Sequence, residues 1–546
     1  MSNSKQTLIR GALTGTFGLL LSKALGILYI VPLTSLAGTG NMAFYSISYT
    51  YYNILLNISA AGIPFALNKV ASKYYGRNDY KTIMLLRKFT VAWVMAFSFV
   101  LAIVFAFSAG PLATLLLESS VNSTDVIALR NIFWILALSV AIVPTLSTIR
   151  GFYQSSQNQS YFAISQVIEQ VTRIIVLLVL GYIFVKLFSF DSIYAIYAAT
   201  FAAFVAAIIS LIYYFFVDRK EIPKLKKLVN DDIDSDVDLK KLAFEMVGIA
   251  IPYVIAAFLG NAKNLINTSF FINYVVENKI YSYDNAKVIL SLYQTLALKI
   301  IGIPSTLAIG FTGGSIPFIA RALEKKDYRQ INKYMNQIIM VVSFIGLFLN
   351  FLILIFAKPV YFLLYGRDYL ELGSYVLQFA VITGVLNIIV PISTNMAIAL
   401  DLRRKNLIYL VIGLAVKFIS FFILISLFAF KGIIYSSALS SILILILNLS
   451  AISKNYQVDF KKSIHVLFLI CISLLAVNGG VYLMEMILPI PLTSRFITFL
   501  YLGFYGIYSL ILYYLFSSLF NLPNYLFRLN SKRIIKIIRG RVNAFR

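Results

Sequence analysis

The chain has 546 residues, of which 60% are hydrophobic and 13% charged, with mean hydropathy +0.85 and net charge +25. A soluble domain carries about 25% charged residues, so a soluble globular fold is excluded. Apolar runs of roughly 18 residues or more, with Gly and Pro inside them, exclude a β-barrel in favour of spanning helices. One cysteine, Cys471, excludes an intrachain disulfide, and the one histidine, His465, reads as an interfacial side chain at the start of a late span.

Hydropathy marks fourteen spans, roughly 11–35, 43–72, 89–112, 129–149, 161–185, 192–217, 244–272, 288–320, 334–357, 373–400, 407–428, 433–453, 464–484 and 496–519. The first has no small-residue cleavage site and reads as a retained helix rather than a signal peptide. Loops and tails on one side of this arrangement carry about 33 Lys/Arg and those on the other about 8, which by the positive-inside rule places both termini in the cytoplasm. The basic charge therefore points to a membrane surface and to orientation, not to nucleic acid. Residues 218–241, dense in charge and poor in apolar groups, are expected to form a cytoplasmic loop. They would separate an N-lobe (1–217) from a C-lobe (242–453). Residues 454–520 then hold two extra spans, and 521–546 a basic cytoplasmic tail, read either as an amphipathic segment on anionic lipid or as a disordered topology determinant.

Besides Arg130 at the very edge of its span, six basic residues fall inside spans: Lys23, Lys69, Arg173, Lys263, Lys299 and Lys417, against two carboxylates, Glu169 and Glu245. An intramembrane charge costs several kcal/mol and normally faces a bundle interior or an aqueous cavity. The membrane interior is thus cationic, as a site for an anion would be. In span 1, Lys23 follows Ser22 and lies some ten residues from the nearer interface, with Tyr29 beyond it; ligand contact and structural pairing are both open. In span 2, Gly62 and Pro64 imply a bent helix with Asn57 just before the bend. Lys69 lies near that span's cytoplasmic end, where snorkelling competes with a cavity role.

Spans 4 and 5 supply Arg150, Gln166, Glu169, Gln170 and Arg173. Glu169 and Arg173, spaced i, i+4 with the acid first, are set for an ion pair on one face, and these residues with Lys417 read first as a buried polar network. Span 7 carries Asn261, Lys263 and Asn264; span 8 carries Gln294 and Lys299, then Gly302, Pro304 and Pro317 as bend candidates. The second half repeats the first. IPF at 63–65 recurs at 316–318, followed by GRNDYKTI and EKKDYRQI, and Val143-Pro144 recurs as Val390-Pro391 ahead of Arg173 and Lys417. These are parallel repeats about an axis along the membrane normal. The expected fold is an all-α integral membrane protein of fourteen helices: two six-helix lobes related by a pseudo-two-fold axis, plus two C-terminal helices that serve as a lipid-facing brace or as a groove for an acyl or prenyl chain. No phosphate-binding loop, metal motif or nucleophilic triad occurs, so neither enzyme, cofactor nor metal is expected.

At RGFYQ…AISQVIEQVTRI (from Arg150) and AAGIPFALNKVASKY (from Ala60), the chain resembles the Gram-positive branch of the MurJ family of lipid II flippases, the YtgP/SpoVB polysaccharide-biosynthesis group of the MOP exporter superfamily. The resemblance implies a V-shaped MATE/MOP-like fold that moves undecaprenyl-diphosphate-linked peptidoglycan precursor from the inner to the outer leaflet. It also implies a lipid-tail groove on the last two helices, and membrane lipids and cell-wall synthases as partners. By position, Ser22 and Lys23 match the family's Ser-Arg and Lys299 its span-8 cation, whereas Tyr29 and Asn57 stand where the family has arginines. On this reading Lys23 and Lys299, with Lys263 and Lys69, meet the diphosphate, and Asn57, Asn261, Asn264 and Gln294 meet sugar and peptide. Lysine is a point charge rather than a bidentate fork. A flippase for another lipid-linked saccharide (capsule or spore cortex) shares every feature. A multidrug/cation antiporter would need acidic spans, and a non-transporting scaffold would leave the buried cations without a role.

Overall fold

The computed structural model describes residues 25–26, 29–75, 79–118, 123–155, 160–229, 239–305, 319 and 322–527. Ser22, Lys23 and Pro317, the second IPF motif and the basic tail from residue 528 lie outside them. Among the described residues all regular structure is helical. Eleven helices there are long and apolar enough to cross a membrane. Met42–Tyr75 and Leu239–Glu277 match two further expected spans in extent, and the first expected span lies mostly outside the description, so the count of fourteen stays a proposal.

The chain forms two compact units, Met1–Leu296 and Ala297–Arg546. In the first, α1 (Ile30–Ala37) precedes α2 (Met42–Leu56), a π turn (Asn57–Ala61) and α3 (Gly62–Tyr75). There follow α4 (Tyr80–Leu116), α5 (Ser123–Ser155), α6 (Ser160–Tyr182), α7 (Ile193–Lys227), α8 (Leu239–Glu277) and α9 (Tyr283–Ser291), the last running into a π turn at Leu292–Ala297. Helices α3, α4, α5, α7 and α8 close around one apolar core that includes Ile63, Leu67, Leu86, Leu146, Phe152 and Met246.

The second unit holds α10 (Tyr328–Ile355), α11 (Ala357–Tyr365), α12 (Leu370–Ala399), α13 (Arg403–Phe428), α14 (Lys431–Tyr456), α15 (Lys461–Ile487), α16 (Arg495–Leu519) and α17 (Leu522–Phe527). Helices α10, α12 and α14 share a core of Ile331, Met335, Ile388, Met396 and Ile452. The last two long helices, α15 and α16, pack on α10 through a second core, where Tyr513 stacks on Phe348 with centroids 4.6 Å apart. Their other faces are lined with exposed Phe, Leu and Ile.

The repeated motifs have a local structural meaning. Asp79 caps α4, accepting from Thr82 N at 2.9 Å, and Asp327 caps α10, accepting from Gln330 N at 3.0 Å. Their backbones are nearly superposable, at φ −85, ψ 77 and φ −86, ψ 82. The DYKT and DYRQ segments are thus two copies of one helix start, in which a carboxylate satisfies an orphan N–H. Pro144 and Pro391 likewise both lie inside long helices, α5 and α12.

Where a bend is expected in span 2 the helix has a π turn, Asn57–Ala61, immediately before Gly62. A π turn widens the helix by one residue and breaks the regular bond ladder, which fits a span that must bend without a mid-helix proline clash. Span 8 carries its own at Leu292–Ala297, ahead of Gly302 and the buried Pro304. Gly62 is required by packing: a Cβ there would lie 2.5 Å from the Ala250 carbonyl oxygen and 2.7 Å from Val254 Cγ2.

One expectation is corrected. The charged stretch 218–241 is not loop throughout, because α7 continues to Lys227 and α8 begins at Leu239. Two of its acids are paired along the helix. Asp218 pairs with Arg87 and accepts from Tyr153, and Glu221 accepts from Tyr161 at 2.9 Å and from Lys224 at 2.8 Å. Lys224, Lys226 and Lys227 occupy the last turn of α7, where cations complement the helix dipole.

Candidate functional site

In the first unit the polar residues of spans 2, 7 and 8 are carried by three helices in mutual contact, since α8 packs against α2, the π turn and α3, and α9 packs against α8 and α2. Tyr51 Oη lies 2.8 Å from Ser269 Oγ, joining α2 to α8, and Thr295 Oγ1 donates to the Met42 carbonyl at 3.3 Å, joining the span-8 π turn to α2. Gln294 Nε2 donates to the Asn264 carbonyl at 3.3 Å, and Asn261 Nδ2 donates to the Ala257 carbonyl at 2.9 Å. Asn57, Asn261, Lys263, Asn264 and Gln294 are all half-buried. Among the described residues Gln294 Oε1 and Asn267 Oδ1 are buried acceptors with no hydrogen-bond donor. The patch thus combines one ammonium and several amides beside two π turns: hydrogen-bonding capacity with a net positive sign.

Lys299 stands exposed on the helix that continues from this turn to Ser305, in the second unit. Pro64 and Lys69 lie in the helical backbone of α3. Tyr29, expected near the ligand, is buried: its hydroxyl donates to the Ala199 carbonyl at 3.1 Å, tying α1 to α7. Its ring neighbours Tyr45, which stacks on Tyr49 at 4.1 Å. The Tyr45, Tyr49 and Tyr52 spacing is a helical stripe that sequence reasoning could have read and did not.

Three of the six residues of the expected polar network, Arg150, Glu169 and Arg173, meet as a triad. Glu169 bridges two guanidinium groups, with Oε2 2.9 Å from Arg150 Nη1 and Oε1 2.8 Å from Arg173 Nη2, and Arg150 Nε donates to Ser165 Oγ at 2.7 Å. Gln166 and Gln170 share that helix and are half-buried; Gln170 Oε1 lies 3.8 Å from where a Cβ on Gly26 would be. Lys417, in the second unit, is fully buried. Its Nζ donates to the Ile433 carbonyl at 3.1 Å and to Ser436 Oγ at 2.8 Å, 5.0 Å from the Phe421 ring centroid. Sequence reasoning missed one further pair, Asp125–Lys287 at 2.9 Å with Tyr283 donating to the same carboxylate, because nothing in spacing relates residues so far apart. Among the described residues no group of three or more His, Cys, Asp or Glu is placed to hold a metal ion.

The multi-span helical fold is shared with solved membrane-protein structures. The chain superposes on an inward-closed structure of the Lipid II flippase MurJ with a TM-score of 0.63 at 13% identity, covering 93% of this chain and 98% of that one. It superposes on an inward-facing multidrug resistance MATE family transporter with a TM-score of 0.62 at 13% identity, covering 80% and 95%. A family model described as polysaccharide biosynthesis protein matches residues 8–306, and a MatE model matches residues 294–423. The chain belongs to the polysaccharide biosynthesis protein family. Among curated proteins it is similar to the Lipid II flippase MurJ of Bacillus subtilis (strain 168), 27% identical over 483 residues that cover 86% of this chain and 88% of that protein.

Proposed function

We propose that this chain is a flippase of the bacterial cytoplasmic membrane that carries lipid II from the inner to the outer leaflet by alternating access. The observation that carries the reading is its likeness, over 86% of its length, to the Bacillus subtilis lipid II flippase. The cationic, amide-rich faces of spans 7 and 8 supply the chemistry. The diphosphate is held by Lys23 and Lys299 with Lys263 and Lys69, and sugar and peptide meet Asn57, Asn261, Asn264 and Gln294. Tyr29 acts one step back, seating α1 on α7. The bends at Gly62/Pro64 and Gly302/Pro304 let the spans rock as the N-lobe (1–217) and C-lobe (242–453) alternate, with both termini cytoplasmic and the last two spans offering a lipid-tail groove. The protein moves its substrate without covalent chemistry and hands it to cell-wall synthases outside.

A potential negative inside favours outward movement of anions by about 2.3 kcal/mol per charge per 100 mV. With few intramembrane carboxylates to relay protons or sodium, the potential is the coupling force. Proteoliposomes with lipid II in the inner leaflet test this: flipping should rise with an imposed inside-negative potential and persist without sodium. Flipping of a capsule or spore-cortex precursor with none of lipid II would reassign the substrate. A strict sodium requirement would remove the coupling scheme.

A further inference from the structure

The first unit contains a recess of about 380 Å³ bounded by the span-2 bend, α3, α4 and α8. That lies within the usual range of about 300–1,000 Å³ for small-molecule sites, but its chemistry is unlike the polar patch. Thr90 is the one polar side chain in the lining, and its hydroxyl is turned to Met246 Sδ at 3.6 Å. Nothing there orients a hydrated ligand. The floor is buried Ile63, Ala66 and Ala250, and the rim is exposed Trp93, Phe97, Phe244 and Ile251. Those rim residues sit on helices long enough to span the bilayer, so an occupant enters from hydrocarbon.

Both rim stripes run, by helical spacing, toward the starts of their helices, and that of α4 reaches lysines. On α4 the stripe Phe97, Trp93, Phe89 continues back to Leu85 and Lys81, with exposed Lys88 beside it; on α8 the stripe Ile255, Ile251, Val247, Phe244 runs back toward the start of the helix. The two helices start at this same basic end, where the positive ends of their dipoles add to the lysine charge.

We propose that this recess is a binding site for one acyl chain of an anionic phospholipid, its headgroup resting at the lysine-bearing start of α4 beside the start of α8. The site lies on the bend itself, because Ile58 belongs to the π turn, and Ala250 in the floor is the residue on which Gly62 is seated. A chain in the recess holds α3 against α8 and stabilises that seating by mass action. The assignment does not depend on which lipid-linked saccharide is carried.

The test uses the full chain in detergent, titrated with phosphatidylglycerol or phosphatidylcholine while its melting temperature is followed. In parallel, phosphatidylglycerol with a photoactivatable acyl chain is crosslinked to it in vesicles. The proposal expects a larger upward shift with phosphatidylglycerol and crosslinks on α3, α4 or α8. Ile251→Trp, which fills the mouth, should lose both, whereas Phe107→Trp, an exposed site elsewhere on α4, should keep both. Lys81→Ser/Lys88→Ser should make the two lipids equivalent while leaving the crosslinks in place. Equal shifts from the two lipids on the wild-type chain would overturn the assignment, as would a full response in a folded Ile251→Trp variant. So would displacement of the crosslink by a polyprenyl phosphate at concentrations where phosphatidylglycerol has no effect, since the recess would then belong to a prenyl tail.

Discussion

Arg173 and Lys417 stand at matching places in the two halves, each in the helix that follows a proline-containing span, yet they are neutralised by different chemistry. The arginine sits in a triad with Glu169 and Arg150, in which one carboxylate serves two cations. The lysine is held by a backbone carbonyl and a serine hydroxyl, over an aromatic ring. The place of the cation is alike in the two halves and its partners differ. A guanidinium fork suits a planar carboxylate, and a compact ammonium suits a cage of oxygens. The two sites should therefore differ widely in what removal of a charge costs.

The largest effect is expected at the triad. Glu169→Gln leaves two buried guanidinium groups without their anion, a loss of about 3–5 kcal/mol for a broken buried pair, read as a collapse of folded yield and melting temperature in detergent. Gly62→Ala is expected to cost about 1–3 kcal/mol by overpacking, since the added methyl meets the Ala250 backbone rather than a movable side chain. Asp79→Ala and Asp327→Ala should each cost about 1 kcal/mol as lost N-caps, and near-equal falls in melting temperature would sharpen the repeat argument. Lys417→Met is expected to be close to neutral in stability. Both partners stay hydrogen-bonded, because Ser437 also donates to the Ile433 carbonyl and the Ser436 hydroxyl still donates to the Gly432 carbonyl. A fall in transport at unchanged melting temperature would show that the buried ammonium serves movement rather than folding.

The helical layout was readable because hydropathy alone marks a span, and the described helices overlie the expected ones. Glu169–Arg173 was readable because i, i+4 is a local rule. Arg150 joining that pair was not, since its approach depends on how α5 packs against α6. The π turns left no signal beyond the Gly-Pro pairs that follow them. The helical extension of α7 was hidden because charge density reads as loop until Asp218 and Glu221 find their partners on α4, α5 and α6. The polar faces of spans 7 and 8 were legible from composition; that Tyr29 would spend its hydroxyl on Ala199 was not.

The central claim is that intramembrane lysines carry a lipid-linked diphosphate across the membrane. It is tested most directly by measuring outer-leaflet lipid II in cells depleted of their own flippase and supplied with this chain, wild type or Lys23→Ala/Lys299→Ala. The account predicts that the wild type restores outer-leaflet lipid II and that the double variant, inserted at the same level, does not. Restoration by both would contradict the assigned cations, and restoration by neither would contradict the substrate.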